Sequence, residues 1–503
     1  MQLDLARPLE LIFALLPEVL LCVAAVTLAL YAAWKPESLG HQRRVGWLAV
    51  AASLVVLGSV VAVAASGLQA GRGPIAIDGL RWTADIVLLV ATATATAISL
   101  DYNEREGIVT AESHVLVLFA TLGMMLMAAA RDLMVLFLGL ETMSIAVYVL
   151  AGLDRRSPRS AEAAVKYLLL GAFSTAFFLY GIALVYGATG TTNIQVIGAR
   201  IVELVIGDSP MLLIGVALLL VGFAFKIAAA PFHMWAPDVY EGAPTPITGY
   251  MAAAVKAAAF TAFLRVWFEA FSELHLRWHD AIWWLSAVTM VVGNTVALQQ
   301  KNIKRMLAYS SIAHTGFILV ALAAGTPQAM QAFLFYALAY TFATMGAFAV
   351  VSALASPGSP RELISDYEGL WLERPWLAGA MSVFMLALLG FPVFGGMGFF
   401  AKWYVLQAAL DAPAPQIRLA VLLVLTTVVS AGYYLHIVVA MFMRPRRSGS
   451  PALPPIGLAS RAVIAVSLAA ILFYGVFPES VVRFARSAVA PALRAAVSVV
   501  QQQ

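Results

Sequence analysis

Apolar residues along this chain run on without interruption, with little of the alternation or one-sided striping of a soluble fold. Stretches of about 20 such residues are needed to cross the hydrocarbon core of a bilayer. They recur at about 9–34, 45–67, 80–100, 112–130, 132–153, 163–186, 210–230, 244–271, 281–299, 303–324, 327–354, 374–394 with an interrupted continuation to 410, 416–443 and 457–477. The pattern predicts an all-α integral membrane protein of about 14 transmembrane helices, with little left for a soluble domain. The first run, in MQLDLARPLELIFALLPEVLL, lacks the basic start and small-residue cleavage site of a secretory signal, and is expected to be a permanent span.

Composition agrees, with 62% hydrophobic and only 12% charged residues in 503, where a soluble domain carries about 25% charged residues. The one cysteine, Cys22, lies in the first apolar run and reads as a small buried hydrophobe. No disulfide framework, thiolate metal site or iron–sulfur cluster is built from this chain alone. Loops after odd-numbered spans carry 15 Lys and Arg, and loops after even-numbered spans carry six. The positive-inside bias then turns the odd loops to the cytoplasm and both termini to the periplasm, although Arg483, Arg486 and Arg494 run against that trend. Charges scattered over short loops do not make a nucleic-acid surface; lipid is the expected surrounding, and no nucleic-acid partner is expected.

The basic residues are unevenly chosen. There are 24 arginines and seven lysines, yet four of the lysines, Lys166, Lys226, Lys256 and Lys402, fall within predicted spans, against Arg265 as the one clear arginine there. Arginine keeps its charge in any surroundings, whereas a desolvated lysine exchanges a proton near neutral pH. A charge at bilayer depth costs at least about 2.5–3.5 kcal/mol and commonly marks an ion or proton path. Lys166 has a second reading as an i,i+4 partner of Glu162 that snorkels to the surface. Glu141 is the acid that belongs with the lysines. Ser144, Ile145 and Tyr148 follow it at i+3, i+4 and i+7 and extend a partly polar stripe. A carboxylate close to Lys226 would couple to it electrostatically.

Two spans are interrupted beside these lysines. In VGFAFKIAAAPFHMWAPDVY, Pro231 and Pro237 follow Lys226; in LLGFPVFGGMGFFAKWYVL, Pro392, Gly395 and Gly396 precede Lys402. Proline removes a backbone donor and glycine weakens the helix, so carbonyls are freed at membrane depth, where they are tolerated only in protein or beside a wet cavity. Grouping spans 4–8 and 9–13 puts both breaks on the fourth span of a five-helix unit. Five is odd, so the units run in opposite senses, as in inverted-repeat transport folds. The expected divisions are 1–110, a three-helix segment; 111–272 and 280–445, two inverted repeats with discontinuous helices 7 and 12; and 446–503, a last helix and tail. On span 10, Ser310 and His314 are one turn apart, as are Ser311 and Thr315, and either pair suits a hydrogen-bonded water chain. His314 reads equally as an interhelical hydrogen bonder, and His233 as a proton acceptor or as a cap for freed carbonyls.

FKIAAAPFHMWAPDVYEGAPTPIT, GLETMSIAVYVLAGL, KNIKRMLAYSSIAH and GFPVFGGMGFFAKWYVL resemble the antiporter-like membrane subunits of respiratory complex I, over about residues 10–475. Within that group the PDVYEG form is similar to the subunit N branch, while subunits L and M and the Mrp cation/proton antiporters tend to differ there. The resemblance implies a redox-driven proton translocase in which Glu141, Lys166, Lys226, Lys256 and Lys402 match the family's protonatable residues on helices 5, 6, 7, 8 and 12. It implies no redox centre or cofactor in this chain, with NADH, flavin, iron–sulfur clusters and quinone in partner subunits, and membrane subunits M, J and K as neighbours. A sodium/proton antiporter of the Mrp type and a non-conducting scaffold are the rival readings.

Overall fold

A computed structural model describes residues 8–68, 73–356, 361–393, 396–446 and 452–486. The first three spans are α1 (Pro8–Ala14) with α2 (Leu16–Trp34), α3 (Leu39–Ala65) and α4 (Gly79–Glu106). Next come α5 (Glu112–Ala129), α6 (Leu133–Ala151), α7 (Pro158–Thr189), a short α8 (Ile194–Glu203), and the divided span α9 (Pro210–Lys226) and α10 (Trp235–Gly242). The eighth span joins α11 (Thr245–Tyr250) to α12 (Lys256–Glu269) through one π-helical stretch, Met251–Val255. It is followed by α13 (His275–Ala297), α14 (Ile303–Ala324), α15 (Pro327–Leu354), a short α16 (Leu370–Glu373), the second divided span α17 (Pro375–Leu389) and α18 (Gly396–Leu410), α19 (Ile417–Met443) and α20 (Leu458–Val476). Eleven of the described helical runs are long and apolar enough to cross a membrane. With the two divided spans and α13, whose first turns are polar, they correspond to the fourteen spans expected.

Local chemistry sets the helix ends. Asp78, Asp132, Asn193, Asn302 and Thr326 cap helix N-termini by accepting from backbone N–H groups of the first turn. Pro158, Pro210, Pro327 and Pro375 stand at first helical positions, where no N–H is required. Gly107, Gly190 and Gly325 close α4, α7 and α14 in the left-handed conformation.

The bundle has a buried centre and an apolar surround. The α11–α12 span is buried throughout and α14 nearly so, whereas only a third of the apolar stretch of α2, α3, α7, α19 or α20 is buried. Outward side chains such as Leu169, Phe173, Leu425 and Val428 are apolar and suit lipid. Backbones approach closely where glycines allow it. A Cβ on Gly123 of α5 would lie 2.6 Å from the Gly139 carbonyl oxygen of α6, and one on Gly316 of α14 would lie 2.7 Å from the Met290 nitrogen of α13.

A candidate ion path through the bundle centre

The divided span begins with a helix that stops at its lysine. Beyond Lys226, Ala228 takes a left-handed φ of 56°, its N–H reaches Phe225 O at 3.0 Å and the next N–H reaches Ala224 O at 2.8 Å. That pair of bonds is a Schellman closure, with alanine where glycine is usual. The Ala230–Pro231 peptide is cis. Polar groups freed by the break are met by neighbouring side chains: Trp235 Nε1 donates to Phe225 O at 3.0 Å, Thr315 Oγ1 to Ile227 O at 2.7 Å, and Ala230 N to Thr289 Oγ1 at 2.9 Å. Pro237 falls in the first turn of α10, where its missing N–H costs nothing. The interruption is therefore 227–234, after Lys226 and before Pro237.

The second divided span closes the same way. Gly390 has φ 81°, and Gly390 N to Ala387 O at 3.0 Å and Phe391 N to Leu386 O at 2.9 Å repeat the two bonds. Pro392 lies in the turn that follows, Gly396 opens α18, and Gly395 lies outside the described residues. The two lysines stand on opposite sides of their breaks: Lys226 ends the first half-helix, whereas Lys402 lies within the second. From α18, Lys402 Nζ reaches back to donate to Leu389 O at 2.9 Å and to Thr427 Oγ1 at 3.4 Å, over the Phe317 ring at 4.5 Å. The carbonyl end of α17 and a ring face both suit a cation.

Lys256 follows directly on the π-helical stretch, a distortion often found at functional sites. Its Nζ donates to both the carbonyl and the hydroxyl of Ser311, each at 2.5 Å. Thr315, one turn on, bonds the Ser311 carbonyl at 3.2 Å as well as Ile227 O, so α14 ties Lys256 to the break after Lys226. On the same helix His314 Nδ1 lies 2.5 Å from Tyr336 OH and Nε2 lies 3.1 Å from Tyr434 OH, which also bonds Ser310. A small cavity lined by His314, Tyr336, Tyr340, Leu388, Gly398 and Ala401 separates this group from the turn of α18 that carries Lys402. Lys226, Lys256 and Lys402 are 2%, 4% and 7% exposed, and none has a carboxylate within 4 Å among the described residues.

Lys166 and His233 stand apart from this row, and Glu141 makes no direct bond to it. Glu141 accepts from Thr175 Oγ1 of α7 at 2.9 Å. Ser144 Oγ at 2.8 Å and Tyr148 OH at 3.3 Å hold Lys226 Nζ in its place, while Ile145, 60% exposed, faces outward, off the polar stripe. Lys166 is 39% exposed at its side chain and pairs with Glu162 and with Asp238 of α10, each at 2.6 Å. It belongs to a rim network in which Arg305 joins Asp238 at 2.7 Å to Glu241 at 3.0 Å, and Lys304 pairs with Glu362 at 3.0 Å. His233 is half-buried in the 227–234 turn beside exposed Met234, on the flank of the bundle.

A second charged group escaped sequence reasoning. Arg265 forks onto Asp78 at 2.7 and 2.9 Å and pairs with Glu269 at 2.9 Å; Arg81 pairs with Glu18 at 2.6 Å and with Asp85 at 3.5 Å; Arg131 completes the cluster on Asp78 at 3.4 Å. Burial alone would favour the protonated acid at Asp78, but Arg265 and Arg131 outweigh it and hold the carboxyl well below the usual carboxylate range. Arg81 and Arg131 look like loop charges in the sequence. The readable signal was Asp85 with Thr92, Thr96 and Ser99 following at seven, four and three residues.

A many-spanned bundle with two broken helices, a buried lysine beside each break, and a third buried lysine and a histidine on the helices between them in the chain, defines an antiporter-like membrane subunit. Residues 130–430 match the family model "NADH:quinone oxidoreductase/Mrp antiporter, TM". The chain is 50% identical over 489 residues to NADH-quinone oxidoreductase subunit N of Gemmatimonas aurantiaca, covering 94% of this chain and 93% of that one. It is 44% identical to subunit N of Trichlorobacter lovleyi, covering 94% and 96%. A chain of respiratory complex I from Thermus thermophilus superimposes with a TM-score of 0.78 at 37% identity, covering 93% of this chain and 98% of that one. A chain of the Mrp complex from Dietzia gives a TM-score of 0.81 at 22% identity over 96% and 97%, a likeness of fold alone. The chain belongs to the subunit N family of the NADH-quinone oxidoreductases, the antiporter-like membrane subunits of complex I.

Proposed function

We propose that this chain moves protons across the membrane, driven by quinone reduction in partner subunits, along Lys226, Lys256, His314 and Lys402. The observation that carries the reading is the row itself: three buried lysines with no carboxylate within 4 Å among the described residues, held by Ser144 and Tyr148 at Lys226, by Ser311 at Lys256 and by Leu389 O and Thr427 at Lys402, with His314 and its two tyrosines on the helix that carries Ser311. A buried ammonium with no carboxylate bonded to it is costly by several kcal/mol, so a site of this kind favours groups able to pass a proton on. Glu141, bonded to Thr175 beyond Ser144, acts on Lys226 through the intervening space. Lys166 and Asp238 gather charge at the rim, and His233 serves the flank of the break. The proton yield of the assembled complex tests this: Lys226→Ala and Lys256→Ala should each abolish or sharply lower proton movement per NADH oxidised, and full yield with both replaced would sink it.

Matched features support two inverted units at 111–272 and 280–445, between the segments 1–110 and 446–503. Both breaks close with the same pair of bonds, both α5–α6 and α13–α14 cross on glycine, and the capping residues Asp132 and Asn302 are each bridged to a distant loop. NADH, flavin, iron–sulfur clusters and quinone belong on this reading to partner subunits, with membrane subunits M, J and K as neighbours. The odd-numbered loops face the cytoplasm and both termini the periplasm of a bacterial inner membrane.

A further inference from the structure

A second polar file runs the length of α4, away from the lysine row. Asp78, Arg81, Asp85, Thr92, Thr96, Ser99 and Asn103 are spaced by three, four or seven residues, so they share one face, and all are buried. From α5, His114 and Thr121 turn to that face seven residues apart, and the Ala128 carbonyl, seven further on, accepts from Arg265 Nη2 at 3.3 Å. At mid-height Thr92 Oγ1 lies 2.7 Å from Thr121 Oγ1, which lies 2.7 Å from Tyr250 OH. One end of the seam is the Asp78–Arg265 cluster. The other is His114, packed so close to α3 that a Cβ on Gly46 would lie 2.9 Å from its Nε2, with Gln42 one turn away bonded to Ile108 O at 3.0 Å.

What distinguishes the seam is how many of its polar atoms find no protein hydrogen bond. Both carboxylate oxygens of Asp85, Glu18 Oε2, Thr96 Oγ1, Asn103 Nδ2, Gln42 Oε1 and His114 Nε2 are buried without one among the described residues. Each such atom costs about 1–3 kcal/mol if left unmet, and buried polar groups are met by protein or by ordered water. These atoms lie on α4 and on α2, α3 and α5 around it, above and below a group of three hydroxyls, where ordered water would meet them. Threonine and tyrosine hydroxyls accept and donate at once, so Thr92, Thr121 and Tyr250 make a polar step across α4, α5 and α11 at the middle of the seam.

We propose that this seam is a second hydrated proton path, with Asp85 and His114 as its protonatable stations and Thr92, Thr121 and Tyr250 as the hydroxyl chain between them. The inference rests on the proton-moving reading above. A proton arriving on water at one station releases another from the next group along, with no other bond made or broken. Asp85 is faced by Glu18 from α2 and Arg81 from its own helix, with Asp78 and Arg265 beyond. Tyr250 lies on the span that carries Lys256, just before its π-helical stretch.

Two measurements on the assembled complex in vesicles test this. Asp85→Asn and the double variant Thr92→Val/Thr121→Val should each lower protons moved per NADH oxidised by at least about twofold, as expected for ionisable and hydroxyl groups on an intramembrane path, and Asp85→Glu should restore the yield. In the wild-type complex, hydroxyl-radical footprinting should label Tyr250 and His114 faster, relative to intrinsic reactivity, than equally buried Phe260 on the same span as Tyr250. Unlabelled Tyr250 and His114 overturn the inference, as does an unchanged yield in the assembled variants. Lys256→Ala run alongside separates the failures: full yield there defeats the lysine row, whereas loss there with intact seam variants defeats only the seam.

Discussion

Thr315 on α14 donates its hydroxyl to the Ile227 carbonyl at 2.7 Å, the first residue past the helix that ends at Lys226. One side chain thereby ties the break of one divided span to the helix that carries Ser311 and His314, and so to Lys256.

Replacing Thr315 by valine keeps the volume and removes the donor, leaving a buried carbonyl unmet at a cost of about 1–3 kcal/mol. The complex should still assemble, with a lower melting temperature and a reduced proton yield. A Thr315→Ser variant, which keeps the hydroxyl, should retain both.

Lys256→Arg separates a proton carrier from a fixed charge. Arginine keeps its proton in proteins, so this variant should lose proton movement by about a hundredfold or more, the scale of a lost proton-transfer group, as measured by quenching of a pH-sensitive dye in vesicles. A scaffold lysine would tolerate the change.

Ala228 and Gly390 hold equivalent left-handed positions at φ 56° and 81°. Ala228→Gly should relieve part of the roughly 1–2 kcal/mol that an L-residue loses there, raising the melting temperature. Gly390→Ala should lower it, because strain is added and the new Cβ would lie 3.0 Å from Lys402 Cδ.

The Asp78–Arg265 pair sets an acid limit. The folded-state carboxyl titrates below its unfolded value, so its contribution to stability is complete above about pH 4 and is lost as pH falls toward the folded value. Melting of the purified protein should show a falling limb below that pH, and the limb should shrink in Asp78→Asn. That variant should also be less stable at neutral pH, by about 3–5 kcal/mol for a broken buried pair.

Both helix breaks and the buried lysines were legible in the sequence. KIAAAP and GFPVFGG mark both breaks because proline and glycine act on their own backbone, and Lys226, Lys256 and Lys402 stand out because a charge in an apolar run needs no neighbour to be noticed. Less legible was the partner of each charge. Glu141 shares a helix face with Ser144 and Tyr148, yet those two hold the ammonium, while the carboxylate, about one turn before Ser144, accepts from Thr175. Lys166 is an intramembrane lysine by position and a rim ion pair by structure, because Asp238 comes within reach once the span divides.

The amino-acid sequence by itself determined the number of spans, where two of them break, and which charges lie within them, because these follow from local composition and from each residue's own backbone. Only the tertiary structure decided which polar groups meet. Asp78 finds Arg265 across 187 residues and Thr315 finds Ile227 across 88. The physical reason is that most of these helices are apolar nearly all round. Their periodicity therefore carries little information about which face turns inward, and packing of the whole bundle sets that rotation.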